Sequence, residues 1–166
     1  MIITIKDFDQ FIENNQKNLG FYCLIDGAQI DHKQITHIEH TFGSCDYLFK
    51  DTFEEEAYLF GGILIHLPFI QSLQFENIIK LMNQHNAMIF FKSALSIKQL
   101  KNILREKLYL ELEDGGIGIL RFYDPRILNR LHQILTPEQK KEFMNGIDVY
   151  YFKLNDLGYE INNNET

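Results

Sequence analysis

Acidic and basic side chains lie close together in one short stretch of the sequence, Arg121-Phe-Tyr-Asp124-Pro-Arg126. Guanidinium groups beside carboxylates are residue types that an acid/base or phosphate-binding site uses, because cations stabilise the negative charge that develops in such reactions. Asp26, at the end of the apolar run 21–25, is a further candidate acid. The sequence contains no nucleophile elbow, no Walker-type loop and no convincing Cys–His arrangement. An enzyme would therefore depend on these four charged residues.

The same residues also suit a structural corner between a strand and a helix. Arg121 continues an apolar row of a predicted strand, so its guanidinium should be partly buried and should have an acidic partner, either Asp26 or Asp124. Asp124 precedes Pro125, which is the order of an N-cap followed by the first helical residue. Arg126 then lies at the end of the helix dipole that disfavours a cation. Three interpretations of these residues remain possible: a structural corner held by Arg–Asp pairs, a contact surface, or an active site.

Three further groups of residues resemble functional sites but have simpler explanations. His32, His37 and His40 lack a closed set of additional zinc ligands, so we predict no metal and no cofactor. The glycine-rich segment 114–118 lies between two strands, which favours a hairpin turn over a phosphate loop. Glu54–Glu56 fall in the first turn of a short predicted helix, where the helix dipole favours acids.

The elements that position these residues alternate between strands and helices. Short apolar runs predict strands at 21–25, 63–67, 87–91 and 149–152, of which the first and third should be buried. Apolar residues at helical spacing predict helices between the strands, and LYLELE, DGG and IGILRFY predict a β-hairpin. We expect an α/β fold with a single domain, residues 1–160, whose mixed β-sheet is covered by helices on both faces. A flexible tail, 161–166, should follow.

The ends of helices carry recognisable sequence signals. Thr4-x-x-Asp7 resembles a capping box, so we predict a helix from the first residues of the chain. Ser72, Ser96 and Thr136 are predicted to cap later helices, as Asp124 does.

Composition excludes several classes of protein. The chain has 166 residues, 45% of them hydrophobic, which is enough for one core. Its formal net charge of −7 argues against a general nucleic-acid binder, which needs a basic surface. No run approaches the about 20 apolar residues of a membrane span, and two cysteines are too few for a disulfide framework, so we expect a cytoplasmic protein. Lys98, Lys101 and Arg105 form a candidate steering surface for a protein partner.

Several segments occur in the order seen in one bacterial family. They are LIDGA (24–28), LFKDT (48–52), FGGILIHL (60–67), FFKSALSIKQLKNILREKL (90–108) and RFYDPRIL (121–128). Together they resemble the adaptor chaperones of the type VI secretion system, which load toxic effectors onto the valine-glycine-repeat spike protein. The resemblance covers roughly residues 20 to 150, and Arg-Phe-Tyr-Asp-Pro-Arg is its most distinctive part.

The resemblance implies a non-enzymatic adaptor that acts in interbacterial competition and binds two proteins, an effector and the spike-tip protein. By motif match, Asp26, Arg121, Asp124 and Arg126 are the signature residues, either as partner contacts or as supports of the fold. The alternative is a small hydrolase or phosphate-binding enzyme that uses the same Asp/Arg cluster. Convergence of the four side chains on a cavity would favour the enzyme, and pairing among them would favour the adaptor.

Overall fold

Hydrophobic strands pair into a seven-stranded sheet in the computed structural model, which describes residues 2–42 and 45–162. The strands of the chain are β1 (Ile2–Ile5), β2 (Phe21–Asp26), β3 (Asp46–Tyr47), β4 (Gly62–His66), β5 (Met88–Lys92), β6 (Tyr109–Glu111), β7 (Ile117–Ile119), β8 (Val149–Leu154) and β9 (Leu157–Asn162). The order in the large sheet is β1-β9-β8-β5-β2-β4-β3, while β6 and β7 form a separate hairpin. Every one of these strand pairs is antiparallel.

Helices cover both faces of the large sheet. They are α1 (Phe8–Asn15), α2 (His32–Phe42), α3 (Ser72–Gln84), α4 (Ile97–Glu106), α5 (Pro125–Ile134) and α6 (Pro137–Phe143), with 3₁₀ turns at Gly27–Gln29, Glu55–Phe60 and Leu67–Phe69. The first three helices pack on one face and the last three on the other. Alternate residues of β2 enter the two cores, because successive side chains of a strand point to opposite faces. Cys23 lies in the first core and Leu24 in the second.

The predicted α/β single domain with helices on both faces and one hairpin is confirmed. The sheet is more regular than the mixed sheet we expected, since its strand pairs are antiparallel throughout the described residues. The caps predicted for α4, α5 and α6 are also confirmed, because Ser96, Asp124 and Thr136 each accept a backbone N–H of the first turn. The predicted cap of α3 was wrong by one residue, because the N-cap is Gln71 and Ser72 is the first residue of the helix.

The N-terminal prediction was wrong in its first turn. Residues 2–5 form β1, which pairs with β9, and α1 begins only at Phe8. Asp7 precedes that helix with a left-handed backbone (φ 48°) and no side-chain cap bond. A non-local strand partner therefore overrides the local capping pattern.

The predicted boundary of the tail falls inside a strand. Ile161 and Asn162, the first two residues of the predicted tail, belong to β9 and pair with β8. Residues 163–166, the rest of that tail, lie outside the described part of the chain. Within the described ranges, no helix has the length and apolar character required to cross a membrane.

Candidate functional site

Asp26 and Arg121 form an ion pair at the end of β2. The Asp26 side chain is fully buried, and its Oδ2 accepts a hydrogen bond of 2.5 Å from Arg121 Nη2. Its Oδ1 accepts the backbone N–H of Ala28 at 3.1 Å, which caps the 3₁₀ turn Gly27–Gln29. The Arg121 side chain remains 39% exposed. Of the two acids that the sequence offered as partners, Asp26 is the one that Arg121 binds.

Burial and charge act in opposite directions on Asp26. Burial raises the pKa of this carboxyl above its ordinary value, while the hydrogen bond and the positive charge of Arg121 lower it. The nearby Asp124 adds to the upward shift. The ionised form of Asp26 thus depends on Arg121 for most of its stabilisation in the fold.

Asp124 and Arg126 form a second pair at the start of α5. Asp124 is buried, and its Oδ1 accepts the backbone N–H of Arg126 at 2.9 Å, the bond of an N-cap. The same carboxylate accepts hydrogen bonds from the guanidinium of Arg126, from Nε at 2.9 Å and from Nη2 at 2.6 Å. The hydrogen bond to Asp124 raises the pKa of Arg126. The Arg126 side chain is 48% exposed, and its Nη1 has no partner among the described residues.

We call Asp26, Arg121, Asp124 and Arg126 the Asp/Arg corner. Its side chains pair with one another, Arg121 with Asp26 and Arg126 with Asp124. No member of the corner lines any of four well-formed surface depressions of the described residues. A site for an anionic substrate directs its guanidinium groups at the substrate, whereas here a carboxylate binds each of the two, through Nη2 of Arg121 and through Nε and Nη2 of Arg126.

Segments that are distant in sequence meet around the Asp/Arg corner. A Cβ on Gly27 would lie 1.9 Å from the carbonyl oxygen of Leu59, so only glycine permits this approach of the two backbones. A Cβ on Gly62 would lie 3.2 Å from Cδ1 of Tyr123, and the backbone N–H of Leu48 donates to the Gly62 carbonyl at 2.9 Å. Four of the segments that carry the family resemblance thus pack against one another here.

The predicted steering residues differ in their surroundings. Lys101 forms an ion pair with Asp46 at 2.9 Å. Arg105 donates from Nε to the carbonyl oxygen of Leu48 at 2.9 Å, and its guanidinium also bonds a second carbonyl of the same loop. Lys98 is exposed and takes part in no ion pair of the described residues. Electrostatic steering of a partner by these three residues stays a prediction. Of the three, Lys98 could meet a partner without breaking an ion pair or hydrogen bond within the described residues.

The histidine cluster holds no metal-ligand geometry in the described residues, where no three His, Cys, Asp or Glu side chains lie close enough to share an ion. The rings of His32 and His37 instead face Thr36 and Thr41, each one turn further along α2. These contacts are local ones within a helix.

The exposed apolar side chains of the β6–β7 hairpin were missed by the sequence analysis. Leu110, Leu112, Ile117 and Ile119 are all exposed in this hairpin. The sequence does contain a signal for this exposure. Apolar residues occur on both faces of the two predicted strands, and since only one face of a hairpin can pack on the domain, the apolar residues of the other face must be exposed. These residues are therefore a second candidate site, on a different part of the surface.

Asp124 gives a direct test of the structural role of the corner. Asp124→Ala should lower the free energy of unfolding by about 1 kcal/mol or more, because the first turn of α5 loses its cap and a buried hydrogen bond. Asp124→Asn is the matched control, since asparagine caps equally well but forms no ion pair with Arg126. It should cost less, because half-exposed pairs contribute little. Urea unfolding measures both, and an unchanged stability of Asp124→Ala would contradict the structural role.

Comparison with known proteins finds one family match, which covers this part of the chain. Residues 21–142 match a family model whose description is Domain of unknown function (DUF4123). No curated protein and no solved structure matches the chain. The matched residues begin at β2 and reach α6, so they include the whole Asp/Arg corner and the β6–β7 hairpin. Since the match covers well over half of the chain, the protein belongs to the DUF4123 family.

Proposed function

We propose that the chain is a non-enzymatic cytoplasmic adaptor that binds an effector of the type VI secretion system and helps to load it onto the valine-glycine-repeat spike protein. The observation that carries the proposal is the family match over residues 21–142. The matched region contains the five segments that resemble type VI adaptor chaperones, in the same order. Binding and delivery, rather than turnover, are the activities that follow from this assignment.

The geometry of the Asp/Arg corner supports an adaptor better than an enzyme. Each guanidinium group is bound by a carboxylate, at 2.5 Å for Arg121 and 2.6 Å for Arg126. An acid/base or phosphoryl site would instead hold these groups around open space for a substrate. Saturable binding of inorganic phosphate at the corner, seen by nuclear magnetic resonance, would count against the adaptor and for the alternative enzyme.

Affinity purification from the native bacterium tests the proposal. The tagged chain should recover both a valine-glycine-repeat spike protein and a toxin, identified by mass spectrometry. Recovery of neither protein by the wild-type chain would overturn the proposed function.

Arg126 should contribute directly to one of these contacts. Its side chain is half-exposed, and Nη1 has no partner among the described residues, so it can donate to a second protein without leaving Asp124. Arg126→Ala should lower the recovery of one partner about tenfold, the effect of losing one charge-assisted hydrogen bond. Arg130→Ala is the matched control, because Arg130 is exposed on the same helix and forms no ion pair in the described residues. Equal recovery with the two variants would confine Arg126 to a structural role.

A further inference from the structure

The hairpin of β6 and β7 exposes four large apolar side chains. Leu110, Leu112 and Ile119 are each about half exposed, and Ile117 is 75% exposed. Among the described strands, β6 and β7 pair only with each other. A two-stranded ribbon is marginal by itself, and clustered exposed apolar side chains mark contact sites. The hairpin therefore has the properties of a sheet that a further strand would complete.

The register of the hairpin determines which backbone groups are free. Leu120 donates its backbone N–H to the carbonyl of Leu108, and Ile119 lies opposite Tyr109. In an antiparallel pair, alternate residues direct their backbone groups to opposite sides. The N–H and C=O groups of Ile117 and Ile119 therefore point away from β6. We call this outward-facing row the β7 edge.

The negative charge of the protein is concentrated on the β6–β7 hairpin and on a segment that contacts it. The hairpin, residues 108–120, carries three acidic residues and no basic one, and residues 51–60 carry four acidic residues and no basic one. The two segments touch, since the Tyr109 hydroxyl donates to Glu54 at 2.6 Å. The remaining chain has 16 acidic and 16 basic residues and is formally neutral. Among the seven acids, only Asp51 forms an ion pair within the part of the chain that the structure describes.

We propose that the β7 edge binds an extended segment of a partner protein as a third strand, and that this segment carries both apolar and basic residues. Its backbone would pair with the free groups of Ile117 and Ile119, as in other cases of β-strand addition. Its apolar side chains would cover these two isoleucines, and its positive charge would be attracted by the three acidic residues of the hairpin. The inference rests on the proposed function, because it gives the adaptor a docking place for a protein it carries.

The large sheet offers a competing edge in β1. Ile2 and Ile3 are about 40% exposed there, and β1 pairs with β9 on one side only. β1 carries no charge and its partner strand β9 carries one acid, Glu160, so this edge has a smaller excess of acids than the hairpin, which carries three and touches residues 51–60. The difference in charge is the reason for assigning the partner to the β7 edge.

Two synthetic peptides of equal length test the inference on the full chain, one alternating valine with lysine and one alternating valine with glutamate. The lysine peptide should bind at least tenfold more tightly, and added salt should weaken it. Bound peptide should slow hydrogen exchange of the backbone amides of Ile117 and Ile119. Equal binding of the two peptides, no binding, or protection of β1 in place of the β7 edge would overturn the inference.

A matched pair of variants separates this inference from the adaptor function. Ile117→Lys places a cation at the β7 edge, and Ile134→Lys makes the same change on α5 at almost the same exposure, 74% against 75%. Only Ile117→Lys should weaken the lysine peptide, about tenfold, and lower partner recovery from the bacterium. If the wild-type chain recovers its partners and both variants recover them equally, the docking inference fails while the adaptor function stands. If the wild-type chain recovers neither partner, the adaptor function fails, whatever the peptides do.

Discussion

Arg121→Gln should lower the free energy of unfolding by about 3 kcal/mol at neutral pH. The substitution leaves the carboxylate of Asp26 buried without its cation, and removal of one partner from a buried pair costs about 3–5 kcal/mol. We expect the lower end of that range, because the Arg121 side chain is 39% exposed and water can partly replace it. Chemical unfolding followed by circular dichroism measures the change. A loss below about 1 kcal/mol would mean that the pair contributes little to the fold.

Substitution of the acidic partner, Asp26, separates the cost of an unpaired buried charge from the loss of the hydrogen bond. Asp26→Asn keeps an oxygen that can accept the N–H of Ala28, and it leaves Arg121 with an exposed portion that water can solvate. It should therefore cost less than Arg121→Gln. The double variant should be more stable than Arg121→Gln alone, because the unpaired carboxylate is then absent. A double variant that is no better than Arg121→Gln would contradict this explanation.

The pair also predicts how stability depends on pH. Burial raises the pKa of Asp26 and Arg121 lowers it, so loss of Arg121 raises the pKa further. A carboxyl whose pKa is higher in the folded than in the unfolded chain destabilises the fold above the folded-state pKa. That penalty disappears as the pH falls toward the ordinary value of 3.8. The difference in Tm between wild type and Arg121→Gln should shrink as the pH is lowered from about 8 to about 5. An equal difference at both values would be the contrary result.

Local patterns predicted the central strands and the helices of the second face. The runs FYCLI and AMIFF contain almost nothing but apolar residues, and they form the buried parts of β2 and β5. The last hairpin was missed although its turn has a local signal. The turn residues are Asn155 and Asp156, two residue types that tolerate positive φ, and the structure gives them φ of 50° and 62°, which is typical of a two-residue turn between antiparallel strands. Because β9 was not predicted, residues 2–5 had no predicted strand partner, and the local capping pattern assigned them to a helix.

The chemistry of the corner was partly predictable, but its partners were not. Because burial of an unpaired guanidinium is costly, an acidic partner for Arg121 could be predicted. The order Asp-Pro predicted that Asp124 caps α5. The choice of Asp26 depends on a contact between residues 95 positions apart, which no local spacing encodes. The same holds for Lys101 and Arg105, whose partners lie more than 50 positions away.

Gly27→Ala should be at least as damaging as the loss of Arg121, at about 3 kcal/mol or more. The new Cβ would lie 1.9 Å from the carbonyl oxygen of Leu59 and 3.0 Å from that of Gly61. The backbone cannot retreat easily, because the N–H of Gly27 donates to the Gly61 carbonyl at 3.0 Å and Asp26 caps the same turn. Any movement that relieves the clash therefore also disturbs the Asp26–Arg121 pair.

Gly115→Ala is the control that separates this clash from backbone strain. Gly115 has φ of 78° and no atom within 4 Å of an added Cβ, so its substitution costs only the left-handed conformation, about 1 kcal/mol. At Gly27 the reason is the opposite one: glycine is required because a Cβ would clash with the neighbouring backbone, and not because the backbone is left-handed. Urea unfolding should place Gly27→Ala at least about 2 kcal/mol below Gly115→Ala. If the two variants are equally stable, the 3₁₀ turn at Glu55–Phe60 can move away from the new Cβ. The fold would then not require the close packing of the family segments around the Asp/Arg corner.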